Sequence, residues 1–380
     1  MADEGARFFD TRAAYTMFVN ATDEKSVVAD RIGRELALVD VHHPGLRVFD
    51  AGMGDGALLT HLMRRMHERL PFIPWLIVAK EISIEDVRQA LAKLPDRFLE
   101  HPEMVFVVTN LNFGEAPSLS APGLVWRHVP LQGSTTWEFA DQIEGLYPRL
   151  ATDWQVKTSE ITGNPLYVQP SALVLHRRDR QFLLESLIPG PGGAPPRYDL
   201  VIASQAYRAR TAVERKVRTV LVPLAASLAP GGRLVGVQAR GNDPGLEIIR
   251  GVWPEEEPFR HRRSDILAEA RRQLGGIHDL DFPHLTDEES LFQFSLHTMP
   301  SVEAEHIGTS SVVAAWNAAT YVAQIDELRL SAAMAAGGYL DATRQVMEQH
   351  GRIWWNDEAF LITRRKGSRD PGDVQSASSG

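Results

Sequence analysis

The stretch Arg47-Val48-Phe49-Asp50-Ala51-Gly52-Met53-Gly54-Asp55-Gly56-Ala57-Leu58-Leu59-Thr60 decides the fold. Val48-Phe49 is a short apolar run that suits a buried strand. Asp50 through Gly56 is a turn with three glycines at alternate positions. Leu58, Leu59, Leu62, Met63 and Met66 then recur at helical spacing. A strand, a glycine turn and a helix aim backbone N–H groups at a ligand beside the helix start. Glycine there permits positive φ and lets a ligand approach the main chain with no Cβ in the way. The carboxylates Asp50 and Asp55 would repel a pyrophosphate, whereas a cationic amino-acid ligand tolerates them.

Working outward, Trp75-Leu76-Ile77-Val78-Ala79 is a second buried strand, bracketed by Pro71 and Pro74. Glu81 follows it, 25 residues beyond Gly56. An acid at the carboxyl end of a second strand can accept hydrogen bonds from both ribose hydroxyls of a nucleoside. Its alternative role is a helix-start acid favoured by the dipole, a need that Glu85 and Asp86 already meet. Met104–Val108 forms a third strand ending at Thr109-Asn110-Leu111. Leu124–Leu131 is a further strand-like run leading to Gln132-Gly133-Ser134 and a helix from Trp137. Either turn can hold an adenine edge, so Asn110 and Ser134 are both candidates.

Upstream, Tyr15, Phe18 and Val19 precede an amphipathic helix through Val27, Ile32 and Leu36. Downstream, Ala172–Leu175 and Gln181–Leu184 look like a strand pair. Tyr198–Ala203 is a fourth core strand, ending in Ser204-Gln205-Ala206-Tyr207. Leu234–Val237 is a fifth, and Leu291–His297 suits a sixth. A long helix from Gly308 through Leu328 places Asn317 and Tyr321 on one face. Ala359–Thr363 is a final strand after Trp354-Trp355-Asn356-Asp357.

Composition bounds the rest. The chain has 380 residues, 44% hydrophobic and 23% charged, with a formal net charge of −9 and no cysteine. A thiolate metal site and a disulfide framework are thereby excluded. The absence of a long basic run argues against a nucleic-acid partner. No apolar run is long enough to span a bilayer, and a cytoplasmic protein is expected. Glu303, Glu305 and His306 form no second cluster, so no metal is expected. His42 and His43, beside Pro44-Gly45, suit a loop. His128, His176, His297 and His306 are candidate bases, none singled out by spacing.

The spacing Asp-x-Gly-x-Gly-x-Gly over Asp50–Gly56 resembles the first motif of the class I S-adenosylmethionine (SAM)-dependent methyltransferases. A dinucleotide fingerprint needs Gly-x-Gly-x-x-Gly, and here the third glycine comes one residue early. Tyr198-Asp199-Leu200-Val201-Ile202, a polar-aromatic turn, a helix and Leu228-Ala229-Pro230-Gly231-Gly232-Arg233-Leu234 are similar to these enzymes' approach to their fifth strand. The resemblance covers residues 48–110, 198–238 and the closing strand. It implies an α/β, Rossmann-like seven-stranded class I methyltransferase sheet with an N-terminal helical lid and helical insertions.

The division it implies is 1–46 lid, 47–240 SAM-binding core with 111–197 inserted, 241–350 helical insertion or substrate cap, 351–366 closing strand and 367–380 disordered tail. The implied donor is SAM, held by Asp50, Ala51, Gly52, Met53, Gly54, Glu81, Ile82, Asn110 or Ser134, and Ser204. Tyr207 and Gln205 follow the fourth strand, where the family places residues beside the transferring methyl. Tyr15, Phe18, Asn317 and Tyr321 are the acceptor-side candidates. The activity implied is methyl transfer to a small-molecule acceptor, at N or O, in a lidded pocket, with no nucleic-acid or membrane partner and a homodimer left open. A protein methyltransferase and a non-catalytic nucleoside or SAM-binding protein are the alternatives.

Overall fold

The computed structural model describes residues 12–41, 43–160, 163–297 and 307–366. Its strands are β1 (Leu46–Asp50), β2 (Trp75–Lys80), β3 (Met104–Thr109), β4 (Val125–Leu131), β5 (Val156–Thr158), β6 (Pro165–Tyr167), β7 (Ser171–Arg177), β8 (Tyr198–Ser204), β9 (Leu228–Ala239), β10 (Leu280–Asp281), β11 (Leu291–Ser295) and β12 (Trp354–Arg364). The strands β3, β2, β1, β8 and β9 lie side by side and run parallel. Numbered within the core they are 3-2-1-4-5, the doubly wound Rossmann-like order. The order reverses between β1 and β8, and in such sheets ligands bind outside the carboxyl ends at that point. Every residue of β3 and all of Trp75–Ala79 are buried, as strands covered by helices on both faces require.

The closing strand β12 runs antiparallel to β9, and β10 and β11 both pair with its outer side. The sheet has ten strands rather than seven. Beyond the closing unit, β7 returns antiparallel to β3, with Thr109 opposite Ala172, and β4 pairs with β7. The segment after β3 thus covers what would have been an open edge. Two local expectations fail for identifiable reasons. Gln181–Leu184 is a short helix that continues a tight turn at Arg178–Arg180. The helix from Thr309 stops at Val322, before Gln324 turns to φ +52°. A new helix, Glu327–Ala336, starts behind the Asp326 cap.

Three helices bear on the site. They are α1 (Arg12–Ala21), α2 (Glu24–Leu36) and α3 (Ala57–Arg69). Asp23, between α1 and α2, accepts the backbone N–H of Ser295 at 2.6 Å, which fastens the leading segment to β11. Among the described residues no helix is long and apolar enough to cross a membrane. His42, Glu303, Glu305, His306 and the tail from 367 lie outside the described residues.

Candidate functional site

The turn after β1 is shaped by two left-handed glycines and two carboxylates. Gly54 has φ +56° and Gly56, the residue before α3, φ +77°. A Cβ on Gly56 would meet Ala90 Cβ at 2.8 Å, and one on Gly54 would meet Tyr15 Oη at 2.7 Å. Gly52 is exposed, and a Cβ there would meet nothing within 4 Å. The glycines at 54 and 56 are therefore demanded by conformation and packing, while Gly52 borders open space. Ala51 and Met53 turn their side chains into the core. The Met53 N–H is taken by the Lys80 carbonyl at 3.2 Å.

Asp50 ends β1 at the switch point and is 1% exposed. Its Oδ1 accepts the Gly52 N–H at 3.1 Å, whereas Oδ2 is buried with no partner. Burial pushes its carboxyl up to about 6, opposed by the Gly52 bond and reinforced by nearby Glu81. Glu81, at the end of β2, accepts the Ile82 and Ser83 N–H groups on Oε1 at 2.8 and 2.9 Å. Its Oε2 accepts Gly54 N–H at 2.9 Å. Burial raises the Glu81 carboxyl as well. Carboxylate oxygens carry two lone pairs each, so Oε2 retains one further acceptor direction.

Asp55 has a different task. Its Oδ1 accepts the Ala57 N–H at 3.2 Å and the Tyr15 hydroxyl at 2.9 Å, and its Oδ2 pairs with Lys93 Nζ at 3.0 Å. Burial alone would raise it, but Lys93 and these bonds hold it below the usual carboxylate range. Tyr15 belongs to α1, so the leading helix lies directly on the glycine turn. Arg12 of α1 ion-pairs with Asp86 beside Ser83, and Asn317 Nδ2 donates to Ala14 O at 2.9 Å. Phe18 stacks on Tyr321 at 4.7 Å between centroids, with Tyr15 5.7 Å from the same ring. Tyr15, Phe18, Asn317 and Tyr321 are thus one cluster above the turn.

Lys25, which sequence reasoning passed over, sits in that cluster at 2.8 Å from Glu24 and near the faces of Tyr15 and Phe18. Burial would lower its ammonium, but Glu24 outweighs this and raises it. Asp357 was missed too. It is fully buried on β12, with Oδ1 unpartnered and Oδ2 approached by Gln205 Nε2 at 3.5 Å. Burial and the neighbouring Glu24 and Asp243 push its carboxyl well above the usual range. Two adjacent acids, Asp357 and Glu358, leading into the apolar run of the closing strand were the signal available in the sequence.

The two adenine candidates part company. Asn110 is buried, and its amide is spent on Asp153 O, Gln169 O and the Ser171 N–H at 3.3, 2.9 and 2.8 Å. Ser134 is exposed past the end of β4, which runs opposite to β3, and so lies at the pole of the sheet away from the glycine turn. Neither side chain is brought to the turn ready for a ligand. Ser204 ends β8 opposite Val237. Gln205 follows at φ +49°, a costly conformation for a residue with a Cβ. Tyr207 Oη donates to Gln238 Oε1 at 3.1 Å. Gln205 and Tyr207 do line one recess, together with Lys216, Gln238 and His261. His128 and His176 lie on β4 and β7, and His297 bonds Asn20 O at 2.6 Å. None of the three reaches the turn. Among the described residues no group of three or more His, Asp or Glu could hold a metal ion.

No family model matches the chain, and no curated protein matches it. Solved structures similar to it are methyltransferases. Loganic acid methyltransferase with SAH is 9% identical with a TM-score of 0.40, over 91% of this chain and 95% of that one. Geranyl diphosphate methyltransferase in complex with SAM is 9% identical at 0.33, over 88% and 85%. Phosphoethanolamine N-methyltransferase 2 of Haemonchus contortus is 9% identical at 0.29, over 88% of this chain and 52% of that one. Likenesses this distant carry no argument.

Proposed function

We propose that the chain is a SAM-dependent methyltransferase acting on a small-molecule acceptor, at nitrogen or oxygen, beneath α1. The observation that carries this reading is the buried, unpartnered Oδ2 of Asp50 at the switch point of the sheet. An orphaned carboxylate oxygen is costly to bury unless a donor completes it. The amino-acid end of SAM offers such a donor and carries positive charge. The open space at Gly52 and the spare acceptor direction on Glu81 fit a nucleoside laid across the same strand ends.

Bound SAM would supply a sulfonium methyl, to which an acceptor lone pair bonds in line as the methyl–sulfur bond breaks and S-adenosylhomocysteine leaves. The chain's own residues have to orient and exclude water. Asp50 takes the donor's N–H, Glu81 a ribose hydroxyl, and the backbone of 52–54 gives clearance. Tyr15 and Arg12 hold α1 over the turn. Gln205, Tyr207 and Ser204 border the acceptor side. Residues 1–46 then act as lid, 47–240 as donor core, 241–350 as cap and 351–366 as closing strand. Asn110 supports the pocket wall from behind.

Calorimetry with SAM and with NAD tests the reading. SAM should bind and NAD should not. The reverse preference overturns it. Transfer of labelled methyl into small molecules supports the acceptor class, and label appearing only in protein overturns that part.

A further inference from the structure

The recess beside Gln205 carries an electrostatic imbalance that the donor site does not explain. It is lined by Gln205, Tyr207, Lys216, Gln238, Phe259 and His261. Lys216 is 2% exposed, and its Nζ donates to Ala209 O at 2.8 Å. Its Nζ lies 5.0 Å from the centre of the Tyr207 ring. Among the described residues no carboxylate forms an ion pair with it, and burial is the cause that pulls its ammonium down to about 8. An ammonium has three donors and no acceptor, so a carbonyl alone leaves it under-satisfied. His261 feels the same charge, which depresses its imidazole further after burial.

Glu358, the carboxylate whose charge is felt at Tyr207, is already committed. It accepts Gln238 Nε2 and the Arg263 N–H at 2.9 and 2.8 Å, with Arg240 and Arg263 guanidinium groups at 3.6 and 3.7 Å. Asp265 bonds the Arg262 N–H at 2.8 Å. What remains facing the recess is one ammonium, one imidazole, amides and a phenol. A buried cation without a counter-charge is strongly unfavourable unless something completes it.

We propose that this recess binds the carboxylate group of the methyl acceptor, with Lys216 as its counter-ion, so that the acceptor is a small organic anion. The proposal rests on the methyltransferase reading for the word acceptor, but not for the anion site itself. Gln205 joins the two regions. It borders the recess and also touches Asp357 at the strand ends where the donor would lie.

The test titrates acetate, at constant ionic strength, into the full chain with and without SAM, using tetramethylammonium as the opposite-charge control. Acetate should bind the unaltered protein, and Lys216→Met should weaken it at least tenfold. Lys216→Arg should stay within about threefold, and the cation should not bind. Should Lys216→Met fail to fold, His261→Gln takes its place, with several-fold weakening expected. Equal acetate affinity in the folded variants, or no acetate binding to the unaltered protein, overturns the proposal. SAM affinity is read in parallel. Acetate binding without SAM binding would sink the methyltransferase reading and leave the anion site standing. SAM binding without acetate binding would do the opposite.

Discussion

Tyr15 Oη sits 2.9 Å from Asp55 Oδ1, which fastens the leading helix to the loop that begins α3. Gly54 lies directly beneath the same hydroxyl. Cover and turn are therefore one mechanical unit, and a change in either is felt by the other.

Tyr15→Phe removes the bond and keeps the ring. A hydrogen bond to a charged acceptor contributes roughly 1.5–3 kcal/mol. SAM affinity is expected to fall about tenfold, with faster amide exchange in α1. Gly54→Ala should be more severe, because the new Cβ demands both a shifted Tyr15 and an unfavourable φ. Unchanged exchange in α1 for both variants would contradict the coupling.

Asp50 links donor binding to pH. Burial holds its carboxyl at about 6, so the acceptor form is lost as pH falls through that value. SAM should bind progressively more weakly below pH 6, and Asp50→Asn should flatten the profile at reduced affinity. The stability sign runs the other way. A raised folded pKa favours folding below about 4, and that contribution disappears as pH rises through 6. Calorimetry between pH 5 and 8 on both proteins reads the first effect, and denaturant midpoints read the second.

Glu81→Ala has two costs. The carboxylate organises the N–H groups of Gly54, Ile82 and Ser83 before any ligand arrives. Donor affinity is expected to drop about ten- to a hundredfold, with a stability loss of about 2–3 kcal/mol. A variant of unaltered stability that only loses affinity would mean the backbone bonds are not what Glu81 contributes.

Asn110→Ala separates support from contact. Its amide satisfies three backbone groups at the β3–β7 junction. Removing it should cost roughly 2–4 kcal/mol, since buried partners are left unpaired. SAM affinity of the folded variant should change less than threefold.

Lys216 predicts an alkaline effect. Its folded ammonium titrates near 8 rather than 10.5, so the unfolded chain holds the proton more tightly between those values. Stability from this group should rise as pH increases through that window. Lys216→Met should abolish the rise. Bound acetate should shift it to higher pH by stabilising the charged form.

Legibility followed the physics of each part. The parallel core could be read because β2, β3 and β8 are buried on both faces and so appear as unbroken apolar runs. The turn could be read because glycine meets the positive φ of Gly54 and Gly56 without steric cost. The additional strands could not be ordered, since β4 and β7 look alike locally and the pairing of β7 with β3 depends on contacts about 60 residues away. Asn110 illustrates the limit. A polar residue at a strand end looks the same whether it faces a ligand or braces a neighbouring loop, and here it braces. Tyr15, Phe18, Asn317 and Tyr321 were found as separate hints, and their assembly across some 300 residues had no local signature. Lys216 and Asp357 escaped notice because isolated charges usually mark solvent, and burial alone gives these two their interest.

The contact of Asn317 with Ala14 spans 303 positions in the chain, and that of Ser295 with Asp23 spans 272. During synthesis the leading helix leaves the ribosome well before β11 and the Thr309–Val322 helix on which it seats. The nascent chain must carry Phe18 and its apolar neighbours exposed over that interval, in which chaperone capture competes with folding. A chain stalled before Thr309 would hold a formed glycine turn without its cover.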